Sequence, residues 1–297
     1  MTLQQFDRAA HIDKHQSHGT AGRFCVLVNG SDRGRDVFEI VFQNSQRMWR
    51  FCDWPRYVGF TSQHPDMYGF KAVAAQGPAG WREELGAQLD RLPVEIEYVL
   101  RLEEDYLFLS PVDGARLNAI AEIMLREDFC YVNLHPVRRN LAGRIIEYFR
   151  RNISKRPLRP LSFSEPYYSS LTPAIWKRSY LRDLLRQPGN IWEFEHIVTD
   201  HRHYAVWEPV LDYDAIVTKG KWSSRARQQL ALQGLDLKSP REFQTRQSRL
   251  RALRQNITFE LVGYLSFRIR KKLNWLPHVP KELTKDQLES VQEAQSQ

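Results

Sequence analysis

The chain is short of the features that fix a protein's class at a glance. Its 297 residues include only three cysteines, Cys25, Cys52 and Cys130, which are widely spaced and form no CxxC pair. That excludes a disulfide framework and a cysteine-built zinc module. Cys25 and Cys130 sit inside apolar, strand-like runs, which suits reduced core thiols in a cytosolic protein. No apolar run approaches the roughly 20 residues needed to cross a bilayer, and residues 1–22 lack the apolar core of a secretion signal. Internal repeats and long low-complexity tracts are absent. Acidic residues do not balance the basic ones, and the formal charge is +8. The excess is local: residues 246–272 hold eight Arg and Lys against Glu260 alone, leaving the remainder close to neutral. Attraction for polyanions is thus confined to one C-terminal segment, which argues against a nucleic-acid-binding surface spread over the protein.

What is present reads as a soluble α/β protein large enough to bury a substantial core. Residues 1–22 read as a flexible lead-in; His11, His15 and His18 have helical spacing there but no supporting ligands for a metal. Phe24, Cys25, Val26, Leu27 and Val28 form a buried first strand, and the polar loop Asn29, Gly30, Ser31, Asp32, Arg33 and Gly34 leaves it. Helices are expected over 38–49, 81–92 (stopped by Pro93), 113–126 and 173–186. Strands are expected over 56–60, 96–102, 130–134, 204–207 and 210–217, with 167–171 extended. Residues 138–160 read as an irregular, strongly basic flap. Strands alternating with helices give an α/β domain over 23–237, followed by a basic helical extension over 238–297.

The most informative stretch is residues 98–108. An apolar, β-prone run ends in Glu103, Glu104 and Asp105, and an apolar run resumes at once. Ligands in α/β sheets gather at the carboxyl ends of strands. Three carboxylates placed there repel one another and lose hydration unless a cation compensates, and carboxylate oxygens suit magnesium or manganese. A solvated acidic turn is the competing reading.

Several motifs in order resemble a family of bacterial glycosyltransferases with the GT-A fold, a nucleotide-sugar-binding α/β domain, over residues 24–235. They are the first strand with its polar loop, Trp81 before its helix, Glu95 through Asp113 around the acidic triplet, Ala174-Ile175-Trp176-Lys177, Ile191-Trp192-Glu193-Phe194-Glu195, and residues 215–222. The resemblance implies a mixed, mainly parallel sheet flanked by helices. It also implies an enzyme that moves a sugar from a nucleotide-sugar donor to a glycan or lipid-linked acceptor, with Mn2+ or Mg2+ as cofactor, in bacterial surface polysaccharide synthesis. Asp105 would hold the metal bridging the donor diphosphate, and Glu103 or Glu104 would contact ribose or metal-bound water. The family's motif usually ends in paired aspartates, where this chain has Glu104-Asp105. Asn29, Ser31, Asp32 and Arg33 would meet the nucleotide, although an ordinary turn explains them too.

In the second acidic motif, Glu195 is the preferred base for the acceptor hydroxyl. Glu193 is the other catalytic candidate, but Asn190 three residues before it has the spacing of a reciprocal helix cap. Trp192 would pack on an acceptor sugar, or simply be buried. Lys219 and Lys221, around Gly220, suit a diphosphate or are solvated lysines at a strand end. Asp214 is the candidate second metal ligand, with His201 and His203 as competitors. The presence of a base candidate favours inversion. Apolar residues at three- and four-residue steps through 246–275, flanked by arginines, suit an anionic membrane surface or a docked terminal helix. A cytoplasmic protein, peripheral at the inner membrane face, would follow from the former. The alternatives are a nucleotidyltransferase acting on sugar phosphates, for which residues 29–34 are a poor match to a glycine-rich basic loop, and a non-catalytic membrane- or polyanion-binding protein.

Overall fold

The computed structural model describes residues 20, 22–30, 32–50, 52–77, 80–135, 157–163, 167–171, 173–195, 197–218, 220–236 and 241–245. The lead-in with His11, His15 and His18, Ser31, most of the basic flap, Lys219 and the tail 246–275 lie outside the described residues, as do the side chains of Arg33 and Trp192.

The first strand, β1 (Phe24–Asn29), sends Phe24, Val26 and Val28 to one side and Cys25 and Leu27 to the other. A run apolar on both faces is stable only between two covering layers. A single 3-10 turn, Asp32–Gly34, leads into α1 (Arg35–Met48). Phe38 and Phe42 of α1 stack at 5.2 Å and lie over the β1 face that carries Phe24. Gly30 is the residue that fits beneath them, because a Cβ there would stand 1.8 Å from the Phe38 ring.

The chain continues through β2 (Arg56–Phe60), β3 (Lys71–Ala74), α2 (Trp81–Asp90), β4 (Tyr98–Glu103), β5 (Tyr106–Phe108) and α3 (Gly114–Arg126). Asp113 caps α3 by accepting the Arg116 N–H at 3.0 Å. Next come β6 (Tyr131–Asn133), β7 (Leu158–Pro160), β8 (Ala174–Lys177), α4 (Arg178–Leu185) and the short α5 (Ile191–Phe194). The elements β9 (Tyr204–Val206), β10 (Tyr213–Ala215), β11 (Val217–Thr218), β12 (Lys221–Trp222) and α6 (Ala226–Leu232) follow.

Eight strands form one mixed sheet in the order β3-β2-β1-β4-β8-β6-β9-β7. The pairs β3–β2, β2–β1, β1–β4 and β6–β9 are parallel, and the pairs made by β8 and β7 are antiparallel. On one face α1 and α3 cover Val26, Leu100 and Val132; on the other α2 and α4 cover Leu27, Val99 and Trp176. The outer side of α1, through Val37, Ile40 and Val41, packs on Leu107, Ile216, Trp222 and Leu230. That third cluster ties the β5–β10 and β11–β12 ribbons to the main body.

Four sequence expectations are corrected. Residues 174–177 are a strand, not the start of a helix. Ala174, Ile175 and Trp176 are fully buried between β4 and β6, so no face alternates and no period marks them. Residues 167–171 turn instead of extending: Tyr167 has φ 57°, and the Ser170 N–H donates to its carbonyl. Residues 158–160, placed in the irregular flap, form the edge strand β7 on β9. The run 210–217 is broken, because residues 213–215 pair with β5 while 217–218 pair with β12, the Ile216 carbonyl already accepting the Ser223 N–H at 2.7 Å. The short strand β3 has no counterpart in the sequence reading.

Candidate active site

From β1 the chain moves to β2 and β3 on one side, and β4 then adds on the other, so the strand order reverses between β1 and β4. The crevice beyond the carboxyl ends of two such strands is the usual ligand position in an open α/β sheet. Asn29 and Glu103 are register partners there, and the Asn29 side-chain amide donates to Glu103 at 3.5 Å.

The two-residue period of β4 puts Val99, Arg101 and Glu103 on one face. Arg101 is fully buried. Its Nη2 donates to Glu103 Oε1 at 2.8 Å and its Nη1 to the Leu171 carbonyl at 2.6 Å, while Nε has no partner among the described residues. A guanidinium this deep is tolerable only because a carboxylate and a carbonyl take its charge.

Glu104 and Asp105 form the turn between β4 and β5. The Asp105 carbonyl accepts the Ile216 N–H at 3.0 Å. Glu104 rests against Gly34 at the start of α1, where a Cβ would lie 3.3 Å from it. Burial, then the neighbouring Glu103, pushes the Glu104 carboxyl up to about 7. Burial, then Glu104 and Glu103, does the same to Asp105, also to about 7. Among the described residues neither is in a contact ion pair. The pair is therefore short of positive charge, a setting that a hard divalent cation relieves. Among the described residues no three His, Cys, Asp or Glu side chains converge into a metal cage, so a cation here would need further ligands from its substrate.

Glu195 reaches this cluster from the far side. Its Oε1 accepts the Leu171 N–H at 2.9 Å and the Ser170 hydroxyl at 3.3 Å. Arg101 binds the carbonyl of the same Leu171, so one buried cation links Glu103 to the turn that clasps Glu195. Burial raises the Glu195 pKa, with Glu103 adding to the effect, while the Leu171 N–H and Arg101 oppose it. Its Oε2 has no partner among the described residues.

The other candidates stand apart. Glu193 Oε2 accepts the Asn190 N–H at 2.7 Å, and Asn190 Oδ1 accepts the Glu193 N–H at 3.1 Å, a complete reciprocal cap on α5. Asp32 faces the loop after β2, accepting the Ser62 hydroxyl at 2.6 Å and the Thr61 N–H at 3.3 Å, with His64 at 3.3 Å. Those bonds outweigh burial and hold its carboxyl below the usual range. Lys221 is paired with Glu242 at 2.6 Å on the surface. Asp214 lies in β10 opposite Leu107. Of its competitors, His203 is wholly buried; burial pushes its imidazole down to about 4, and it bonds to Tyr180 and Tyr168. His201 is exposed.

Two residues escaped the sequence reading. Arg101 carried a signal, since an arginine inside an apolar strand must find a buried partner. Arg241 carried none. Its guanidinium forks onto Asp36 at 2.7 and 2.8 Å, and its charge draws the Glu104 carboxyl down. Residues 241–245, assigned from sequence to the extension, pack on the domain: the Trp222 N–H donates to the Glu242 carbonyl and the Gln244 N–H to the Trp222 carbonyl, both at 2.9 Å.

No protein-family model matches the sequence, and no curated protein matches it. Among solved structures, the chain is similar to residues 1–349 of S. aureus TarS at 11% identity and a TM-score of 0.41, with 64% of this chain and 59% of that one covered. A mannosyltransferase, PcManGT from Pyrobaculum calidifontis in complex with GDP-Man and Mn2+, is 15% identical at a TM-score of 0.42, with 67% and 58% covered. A cytidylyltransferase from Leptospira borgpetersenii serovar Hardjo-bovis is 12% identical at 0.37, with 59% and 69% covered. The chain thus spans less than two thirds of the length of the first two. At these scores the likenesses carry no functional information.

Proposed function

We propose that this chain is a glycosyltransferase that moves a sugar from a nucleotide-sugar donor to a hydroxyl of a glycan or lipid-linked acceptor, with Mn2+ or Mg2+ as cofactor. The observation that carries the reading is the Arg101 bridge. It links Glu103, next to the undercompensated carboxylates Glu104 and Asp105, to the Leu171 turn that holds the half-buried base candidate Glu195, which supports a shared site near the strand-order reversal. A solvated acidic turn would leave Glu104 and Asp105 near their ordinary range, and it does not account for the buried guanidinium beside them.

In this reading Asp105, with Glu104, holds the cation. A divalent ion, when bound, stabilises the charge that grows on the diphosphate as it leaves. Asn29 and Glu103 meet the nucleotide at the carboxyl ends of β1 and β4. Glu195 Oε2 takes the acceptor proton while the acceptor oxygen attacks the anomeric carbon; the bond from that carbon to the diphosphate breaks, and inversion follows. Leu171 and Ser170 fix the other oxygen, which aims the base. Glu193 is left out of the chemistry because its carboxylate is spent on the cap.

Incubating the chain with a panel of nucleotide sugars, manganese and glycan or lipid-linked acceptors tests the proposal. Release of nucleoside diphosphate with a glycosylated product is expected. Exchange of pyrophosphate instead would move the chain to nucleotidyl transfer.

A further inference from the structure

The opposite, amino-terminal edge of the sheet carries a second polar feature that the transfer chemistry does not use. An open hollow of about 400 Å³ lies between the end of α1, the segment 50–56 and the start of β3. Its wall carries Arg50, Arg56 and Lys71 against Asp53 alone. Among the described residues none of these three cations is in an ion pair or hydrogen bond. Arg50 and Lys71 are exposed, but Arg56 is half-buried, its guanidinium 5.3 Å from the Phe70 ring centre. Gly69 makes room for it: φ is +76°, and a Cβ there would stand 3.0 Å from Arg56 Nη2. Trp49 also lines the hollow, and its buried indole N–H has no partner among the described residues.

An unpaired, partly desolvated arginine and two further cations meet in one concavity, with the Trp49 ring in its wall. Each cation lacks an acceptor, and a compact tetrahedral oxyanion supplies several at once, with an edge that matches the guanidinium fork. We propose that this hollow binds a phosphate group, carried either by a soluble phosphorylated molecule or by an anionic lipid head group. The inference does not depend on the transferase reading, since the site sits at the other end of β2 and uses none of the same residues.

Titration of the full chain with inorganic phosphate tests it, in the presence of a metal chelator so that the carboxyl-edge site holds no cation, and with ionic strength held constant by chloride. The reporter is the indole N–H resonance of Trp49, assigned by Trp49→Phe. A saturable shift with phosphate and none with chloride is expected, weakened about tenfold or more in Arg50→Gln/Arg56→Gln/Lys71→Gln. Should that variant not fold, Arg50→Gln/Lys71→Gln, at exposed positions, carries the same comparison. Sedimentation with phosphatidylglycerol vesicles separates the sources: vesicle binding lost in the variant marks a lipid head group, and phosphate binding without vesicle binding marks a soluble ligand. A chain that binds neither, or a variant that binds both as the parent does, overturns the proposal.

Discussion

Two acidic turns are joined through Arg101 and Leu171, and they handle charge in opposite ways. In residues 190–195 the carboxylates are hydrogen-bonded to backbone N–H groups: Glu193 to Asn190, and Glu195 Oε1 to Leu171. In residues 103–105 only Glu103 is in an ion pair among the described residues, and Glu104 and Asp105 are pushed up to about 7. A carboxylate satisfied by the backbone builds structure at little cost. One left undercompensated reduces the stability of the ionised fold, and the deficit is recovered only on binding a cation. The contrast separates carboxylates that hold the chain from carboxylates that await a ligand, and Glu195, with one oxygen held and one open, belongs to both classes.

The sharpest break of that comparison is Asp105→Asn. Transfer should fall by about 10²–10³-fold, yet thermal stability at pH 8 without metal should hold or rise, because an ionised carboxylate lacking a partner is removed. Undiminished turnover would remove Asp105 from the site. Glu195→Gln is the complement. The amide oxygen still accepts the Leu171 N–H, so donor binding should persist while transfer falls about 10²–10⁴-fold. A variant that loses donor affinity instead would place Glu195 on the donor side.

Arg101→Leu tests what joins the two turns. Removing one partner of a buried ion pair costs about 3–5 kcal/mol, and here it also strips the Leu171 carbonyl of its donor. Chemical denaturation should show that loss. Transfer by the remaining folded protein should drop through a lower kcat, since the turn that aims Glu195 is no longer tied to Glu103.

Much of this arrangement was legible in the chain and some was not. Strands β1 and β4 are plain because each is an apolar run that ends abruptly in polar residues, so Asn29 and the triplet fell at the correct edge. The Asn190–Glu193 cap could be read because capping is local and depends on spacing alone. Strand β8 was hidden because burial on both sides erases any alternation, and Lys177-Arg178 mark no turn before α4. Arg241 was unreadable because its partner Asp36 lies about 200 residues away, and only the fold brings them together.

A smaller effect sharpens the comparison with a titrating group that is not a carboxylate. His203 is buried neutral beside Tyr180 and Tyr168, and burial pushes its folded pKa down to about 4, below the ordinary imidazole value of 6.5. The unfolded chain therefore binds the proton that the folded chain refuses. The neutral histidine's contribution is full above pH 6.5 and is lost as pH falls towards 4, by about 3 kcal/mol in all at 1.36 kcal/mol per unit. Urea midpoints measured from pH 7 to 4 should fall more steeply for the parent than for His203→Gln. Equal slopes would mean the imidazole is not held neutral.

The smallest effect expected belongs to the turn that is already satisfied. Asn190→Ala removes one half of the reciprocal cap on α5, leaving the Glu193 N–H without its acceptor. The cost should be about 1 kcal/mol, visible as a modest drop in Tm. Transfer should stay within about twofold of the parent, because Glu195 is positioned from Leu171 and Ser170 and not from the cap. If activity instead collapsed along with the cap, α5 rather than the Arg101 bridge would be the element that aims the base, and the division between structural and ligand-seeking carboxylates would fail at that turn.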